Sequence, residues 1–550
     1  MTELLTAAQM RAIEQTAIAR GETTGLELME RAGAGVVEAI LEEWPEMALT
    51  SQKAVVLCGP GNNGGDGFVV ARLLKQRGWE VEVFLYGEVE KLPVDAKTNA
   101  ERWLEMGNIV DVPSGFWLPK CSLHIDALFG TGISRAIPEE ISYSFAYLHK
   151  RHDHFKAVAI DMPSGLCADS GRPIGGISGK ADLTVTFHKQ KVGQYIGAGP
   201  DYCGTVKSVD IEIPPVFRSV ESLMAAINNP NRNRPSDEDI RREAQKSERK
   251  EKRRVHLAKL PHARDGLHNK QKWKSGNKTS LHKYAHGHAF ILSGPSAHTG
   301  AARLAARGAL RIGAGVVSLG APQSAIAECA AQLTAIMLAP IEDGVALEAT
   351  LQDKRINALC LGPALGLDER AEGLVTAAVG ASTHPTVLDA DALTILARRP
   401  DLFAKLHKNC VLTPHAGEFK RLFPDIMAKL DAPALTGPAY SKVDATREAA
   451  ALAGCVVLFK GADTVIAAPD GRAAINSAHY ERAAPWLATA GSGDVLAGFI
   501  TGLLARGFAP MQAAETAAWL HVECALNFGA GLIAEDIPEQ LPAVFKALSL

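Results

Sequence analysis

Short apolar runs that stop at Gly, Asp or His, separated by stretches with helical periodicity, set the pattern of the chain at both ends. In the N-terminal half the runs are Lys53–Gly59, Glu80–Gly87, Ser122–Gly130, Ala157–Gly165 and Ala181–Phe187. Their spacing predicts parallel strands of a doubly wound, Rossmann-like α/β sheet. In the C-terminal half, His288–Gly294, Gly315–Pro322, Ala358–Gly366, Pro385–Leu393, Cys410–Phe419 and Val456–Ala468 repeat the logic, each taken as one strand leading to a loop. Ligands of such sheets bind beyond the carboxyl ends of the strands. Between the halves the pattern fails. From Pro230 to Lys278 sixteen Lys or Arg face seven Asp or Glu with almost no apolar periodicity, which predicts a solvated linker. The expected domains are therefore residues 1–215, a basic linker 216–280, and 281–550.

Composition narrows the classes. At 550 residues the chain exceeds one ordinary core. A hydrophobic content of 47% with 22% charged residues reads as globular, and a net charge of −3 favours no partner by sign. The nine cysteines form no CxxC pair, so neither a disulfide framework nor a zinc site is indicated and a cytoplasmic location is expected. No apolar run is long enough to span a bilayer, so no membrane partner is expected. The basic segment lacks interleaved aromatics apart from Trp273, which argues against nucleic acid as a partner.

Two Gly-rich turns carry the candidate chemistry. Near the C-terminus, Trp486–Gly507 (WLATAGSGDVLAGFITGLLARG) runs a turn into an apolar helix and holds one acid, Asp494. Free N–H groups at a helix start attract phosphate oxygens, Gly491 and Gly493 permit close approach, and Asp494 is placed to take a hydroxyl proton. The alternative is that Asp494 only caps the helix. In the N-terminal half, Gly59–Gly67 (GPGNNGGDG) stands between a strand and the helix expected from Gly67. Gly59, Gly61 and Gly64 satisfy G-x-G-x-x-G, yet Asp66 would repel a pyrophosphate, and Glu80–Gly87 ends in Tyr86 and Gly87 where a ribose-binding acid belongs. A cation or hydroxyl ligand suits the turn better. Asn63, Asp126 and Ser164 are oxygen donors of the kind hard cations need, although each alone reads as a loop cap.

GPGNNGGDG followed by DALFGTG and DMPSG resembles the NAD(P)H-hydrate epimerase domain over about Leu4–Pro215. HKYAHGHAFILSG, TGAARLAARGALRIGAG, LGPALG, TPHAGEF, LFKGADTVIA and ATAGSGD, in that order, resemble the ribokinase-like NAD(P)H-hydrate dehydratase domain. Together they resemble the bacterial bifunctional NAD(P)H-hydrate repair family. The resemblance implies epimerisation of R and S hydrates of NADH and NADPH, then ADP-dependent dehydration of the S form. It implies hydrate contacts at Asn62, Asn63, Gly64, Gly65, Asp66, Gly130, Thr131, Gly132, Ile133, Ser134, Arg135 and Asp161. Potassium would be held by Asn63, Asp126 and Ser164, and Asp161 would do acid and base work. In the second domain it implies ADP, with Mg2+, at Lys460, Gly461, Ala462, Asp463, Thr464 and Gly493. Asp494 would be the base, and Ala302, Gly366 and His415 would line the nicotinamide side. Lys191 matches a lysine of the family pattern, while by itself it reads equally as a solvated residue.

The absence of GxxxxGK[ST] argues against a P-loop ATPase. A ribokinase-type small-molecule kinase is the alternative, because GSGD also serves phosphorylation of alcohols. A homo-oligomer is expected, since strand-end sites of such domains often lie at subunit interfaces.

Overall fold

The computed structural model describes residues 2–112, 119–142, 155–213, 255–258, 282–380 and 384–550. The chain forms two compact units. The first spans Glu3–Val255 and takes in Ala432–Lys442; the second spans His256–Asp431 and Val443–Leu550, with Met1–Thr2. Most of the expected linker, 216–280, lies outside the described residues. Within it Val255–Leu257 is a strand with Val255 buried, so an unstructured reading does not hold there.

The first unit is built on seven strands: β1 (Lys53–Cys58), β2 (Glu80–Leu85), β3 (Ile109–Asp111), β4 (Leu123–Ala127), β5 (Lys156–Ile160), β6 (Leu183–Phe187) and β7 (Thr205–Val209). They run β3-β2-β1-β4-β5-β6-β7, every neighbouring pair parallel. The order reverses between β1 and β4, the place where a doubly wound sheet opens a crevice for ligand. Two helices precede the sheet. In α1 (Ala7–Ala19) the Thr6 side chain accepts from Gln9 N at 3.2 Å and the Gln9 side chain accepts from Thr6 N at 2.8 Å, a reciprocal cap. Met10, Ile13 and Ala17 recur at helical spacing and enter the core, which leaves Arg11 and Glu14 at the rim of the stripe. The next helix, α2 (Gly25–Glu43), is capped the same way by Thr24 and Glu27.

The helix after β1, α3 (Asn62–Gln76), begins at Asn62 rather than at Gly67. Asp66 therefore sits in the helix body, not at its mouth. The early start is possible because Gly64 packs on Gly59: a Cβ on Gly64 would lie 2.0 Å from the Gly59 carbonyl oxygen.

The second unit holds β8 (His288–Leu292), β9 (Val316–Ala321), β10 (Met337–Pro340), β11 (Ala358–Leu361), β12 (Thr386–Leu388), β13 (Cys410–Leu412), β14 (Val456–Phe459), β15 (Asp463–Ala467) and β16 (Ala473–Ser477). Their order is β16-β15-β14-β13-β12-β11-β8-β9-β10. The pairs from β14 to β10 are parallel, whereas β15 is antiparallel to β14 and to β16. The run Val456–Ala468 is thus a hairpin and not the single strand expected. Its turn is closed by Thr464, whose hydroxyl donates to Gly461 O at 2.7 Å and accepts from Gly461 N at 3.2 Å, and this puts Lys460 at the end of β14.

Helix α4 (Gly300–Arg311) packs on α5 (Ser492–Ala505) through small residues. A Cβ on Gly498 would stand 2.1 Å from Ala305 O, so the two backbones touch, and α5 is buried from Val495 to Ala505.

Candidate functional sites

In the first unit the loops after β1, β4 and β5, with α1, enclose a cavity of about 520 Å³. Of the expected residues, Asn62, Asn63, Asp66, Asp161 and the loop Gly130, Thr131, Gly132, Ile133, Ser134 and Arg135 line it. Gly64 and Gly65 do not: Gly64 is buried against the backbone of Gly59, and Gly65 against Met29 of α2. Arg11 and Glu14 join the lining from α1, a contribution that no loop motif announces.

Asp161 is the best-held group of this cavity. Its backbone has φ of 65°, a strained position for a residue with a Cβ, fixed by Asp161 N on Val185 O at 2.7 Å and Gln194 Nε2 on Asp161 O at 3.2 Å. Its Oδ1 lies 3.1 Å from Nζ of the buried Lys191 and accepts from the Thr186 hydroxyl at 3.0 Å; its Oδ2 accepts from Thr131 N at 3.2 Å. Burial alone would raise this carboxyl, but the Lys191 charge and hydrogen bond, with those from Thr131 and Thr186, carry it below the usual carboxylate range. Lys191 is therefore no solvated lysine: its Nζ also donates to Thr186 Oγ1 at 2.6 Å and to Lys189 O at 2.9 Å. Around this anion the other acids resist ionisation. Glu14 is pushed up to about 7, first by burial and then by the Asp161 charge; Asp66 is raised well above its ordinary value by burial, Asp161 and Glu14.

Beside the cavity Asp126 and Ser164 are locked together. Ser164 N donates to Asp126 Oδ2 at 2.8 Å and the Ser164 hydroxyl to Oδ1 at 2.6 Å, with Phe129 O 3.3 Å from the same hydroxyl. Asp126 thus ties down the DMPSG turn. Burial raises the Asp126 carboxyl to about 6 against these hydrogen bonds. Asn63 turns its Oδ1 toward Gly130, and its Nδ2 is buried without a hydrogen-bond partner.

In the second unit charged side chains from three strand ends, two acids and one lysine, converge on the start of α5. Asp389 follows β12, Glu418 lies in the short helix Ala416–Leu422 after β13, and Lys460 follows β14. Lys460 Nζ is 2.8 Å from Asp389 Oδ1 and 3.7 Å from Glu418 Oε2. Asp494 stands in the first turn of α5, whose N-cap is Gly491 at φ 86° with no side-chain cap, so Asp494 does not cap the helix. Burial, then the Asp389 charge, push its carboxyl up to about 7; Lys460 pulls the other way, and Glu418 and Asp391 add to the rise. A Cβ on Gly493 would come 3.5 Å from Lys460 Nζ, which places that glycine against the ammonium. The turn is held from behind by His521, whose Nε2 lies 2.9 Å from Ser492 O; a carbonyl only accepts, so Nε2 carries the hydrogen. Burial keeps His521 neutral, with its pKa lowered to about 4.

The remaining expected residues fall less uniformly. Gly366 N donates to Asp391 Oδ2 at 2.9 Å, joining the LGPALG loop to these acids. His415 caps its short helix: Nδ1 accepts from Gly417 N at 2.9 Å while Glu418 accepts from His415 N at 2.8 Å. Gly461, Ala462, Asp463 and Thr464 form the hairpin turn after Lys460 and the start of β15. Ala302 is wholly buried in the core that α4 and α5 share. Asp389, Asp391 and Glu418 are partners that motif reading leaves without a role, although VLDADAL shows acids at a strand end and HAGE shows the spacing of a reciprocal cap.

A family model described as NAD(P)H-hydrate dehydratase matches residues 289–542, and one described as YjeF-related protein N-terminus matches residues 25–193. The bifunctional NAD(P)H-hydrate repair enzyme of Salinibacter ruber is 33% identical, covering 98% of this chain and 96% of its own. The NAD(P)H-hydrate epimerase of Rhodobacter capsulatus is 49% identical over 35% of this chain and 91% of its own. Among solved structures, the ADP/ATP-dependent NAD(P)H-hydrate dehydratase of Bacillus subtilis, co-crystallised with ATP/Mg2+, matches with 27% identity over 50% of this chain and 93% of its own, at a TM-score of 0.38.

Proposed function

The chain belongs to the bifunctional NAD(P)H-hydrate repair family, an epimerase joined to a dehydratase, and from that premise we propose how its two carboxylate sites divide the work. Asp161 serves the interconversion of R and S hydrates in the first unit. Asp494 serves dehydration of the S hydrate in the second, with ADP consumed and AMP and phosphate released. The small-molecule kinase alternative is set aside, since the full-length relatives are named as repair enzymes.

The observation that carries the assignment is Asp494 at an uncapped helix start, its carboxyl about 7, facing Lys460. A base of that strength takes a hydroxyl proton near neutral pH. The ring hydroxyl oxygen then bonds to the β-phosphorus of ADP as the bond to AMP breaks. Free N–H groups of the turn and the Lys460 ammonium meet the charge that develops on the phosphoryl oxygens. Phosphate next leaves the ring carbon, a proton leaves the adjacent carbon, and the double bond re-forms. Mg2+ fits as a companion of the nucleotide: among the described residues no group of three His, Cys, Asp or Glu is arranged to hold a metal, so the ion would ride mainly on the phosphates.

Potassium fits the first unit. The Asp126 carboxylate, the Ser164 hydroxyl and the Phe129 carbonyl present oxygens together, and a carboxyl raised to about 6 by burial gains from a cation beside it. We assign it to Asp126, Ser164 and Asn63, where it would fix the Gly130–Arg135 loop. Exchange of potassium for lithium should slow epimerisation and leave dehydration of S hydrate unchanged. In Asp126→Asn the two salts should give the same, lower rate, measured by chromatographic resolution of the hydrates. The scattered single cysteines support a cytoplasmic location, and a homo-oligomer remains our expectation, checked by light scattering.

The decisive assay mixes purified protein with R and S NADPH hydrate, potassium and ADP. Complete recovery of NADPH supports the reading, whereas a stable phosphorylated product would overturn it in favour of a kinase. Lys460→Met should raise the KM for ADP at least about tenfold, the loss of a phosphate-binding charge. Because Lys460 lowers the Asp494 carboxyl, its removal should also move the rise of rate with pH to higher pH.

A further inference from the structure

Three carboxyl groups meet in the cavity of the first unit: Glu14 from α1, Asp66 from α3 and Asp161 after β5, with Arg11 and Arg135 on the same lining and Lys191 buried behind Asp161. Asp161 is committed to the anion. Both of its oxygens are engaged by donors, namely the Lys191 ammonium, the Thr186 hydroxyl and Thr131 N–H. Such a group accepts a proton but has none to give. Inverting a ring carbon that bears a hydroxyl needs both operations, because the C–O bond breaks only as the leaving oxygen is protonated, and return of water releases a proton to a base.

We propose that Glu14 is the proton donor of the epimerisation, with Asp161 as its base; this rests on the assignment of the first unit as the epimerase. The Glu14 carboxyl proton passes to the ring hydroxyl as the C–O bond breaks, the ring nitrogen lone pair forms the C=N bond, and water is released. Water then adds to the other face, and its proton goes to the Asp161 carboxylate. Exchange with solvent returns a proton to Glu14 and removes one from Asp161.

Two carboxyls driven apart by their surroundings are the arrangement that separates an acid from a base. Asp161 lies below its ordinary value through Lys191 after burial is overcome, whereas Glu14 is lifted to about 7 by burial and by Asp161, tempered by Lys191 and Arg11. Asp66 is raised well above its ordinary value by burial and by both other acids. Glu14, which lines the cavity from α1, is poised to give and regain a proton near neutral pH.

The test uses the full-length protein and resolves R and S NADPH hydrate by chromatography without ADP, so that only epimerisation is read. Glu14→Gln keeps the side-chain shape and should melt as the wild type does. Its kcat should fall about 100-fold with KM within about threefold, the size expected for a lost general acid, and Glu14→Asp should restore part of the rate. In the wild type kcat should decline as pH rises through about 7, because the donor must be protonated, and this decline should be missing in Glu14→Gln. A Glu14→Gln rate within about threefold of wild type overturns the proposal. So does a decline that persists in Glu14→Gln or disappears in Asp66→Asn instead. Wild-type protein that dehydrates S hydrate with ADP yet leaves R hydrate untouched would instead overturn the epimerase assignment itself, and the donor with it.

Discussion

Asp494→Asn should reduce recovery of NAD(P)H from S hydrate and ADP by about 10³-fold while R and S hydrates still interconvert, since positioned general bases contribute about 10²–10⁴. Asparagine keeps the shape and the place on α5 but cannot take the hydroxyl proton. The wild-type rate should climb with pH through about 7, because the base works ionised and burial, then Asp389, hold it protonated below that point. Stability should move the other way. Unfolded, the group titrates near the ordinary carboxylate value; folded, near 7. Between those values the folded state binds more protons, so the carboxyl weakens the fold as pH rises through that window. Asp494→Asn should therefore melt at or above the wild-type temperature at pH 8. A variant with wild-type turnover, or one that fails to fold at pH 8, would sink the assignment.

What could be read from the sequence divides along physical lines. Strands buried on both faces announce themselves as continuous apolar runs, which is why β1, β4, β5, β6, β8, β9 and β11 to β13 were legible, and β2 showed through its alternation of Glu and Val ending in Phe84 and Leu85. Edge strands such as Ile109–Asp111, Thr205–Val209 and Met337–Pro340 have mixed burial and no such run. Ala473–Ser477 is buried but carries small and polar residues in place of the β-branched run that marks a strand. The hairpin at Lys460 hid inside one apolar stretch because Gly461, closed by Thr464, is a turn only once the Thr464 hydroxyl folds back.

The same reasoning separates the parts of the sites. Polar residues at the carboxyl ends of strands and at a helix start could be read because the topology dictates where strand ends go: Asp126, Asp161, Ser164 and Lys460 lie at or just beyond strand ends and Asp494 in the first turn of α5. Glu14 and Arg11 could not be, since they belong to a helix that precedes the sheet and reach the cavity only through its packing. Lys191 was ambiguous for another reason: a lysine reads as solvated until a buried carboxylate is shown beside it.

Lys191→Met should be the most damaging single change in the first unit. The ammonium is wholly buried and 3.1 Å from Asp161, and removing one partner of a buried pair leaves the other charged and unpaired, at a cost of about 3–5 kcal/mol. Asp161 shows how that cost depends on pH. In the wild type its carboxyl lies below the ordinary value, so it adds stability above about pH 4 and loses it only as pH falls further. Without Lys191 the dominant remaining influence is burial, which lifts the carboxyl and turns the same group into one that destabilises as pH rises. The gap in melting temperature between wild type and Lys191→Met should therefore widen from pH 5 to pH 8. Adding Asp161→Asn should recover much of the stability and none of the epimerisation, because the unpaired charge is gone and so is the base. The single variant should lose at least about 100-fold in epimerisation. A melting difference independent of pH would show that Lys191 acts by packing alone, and unchanged epimerisation would remove Asp161 from the chemistry.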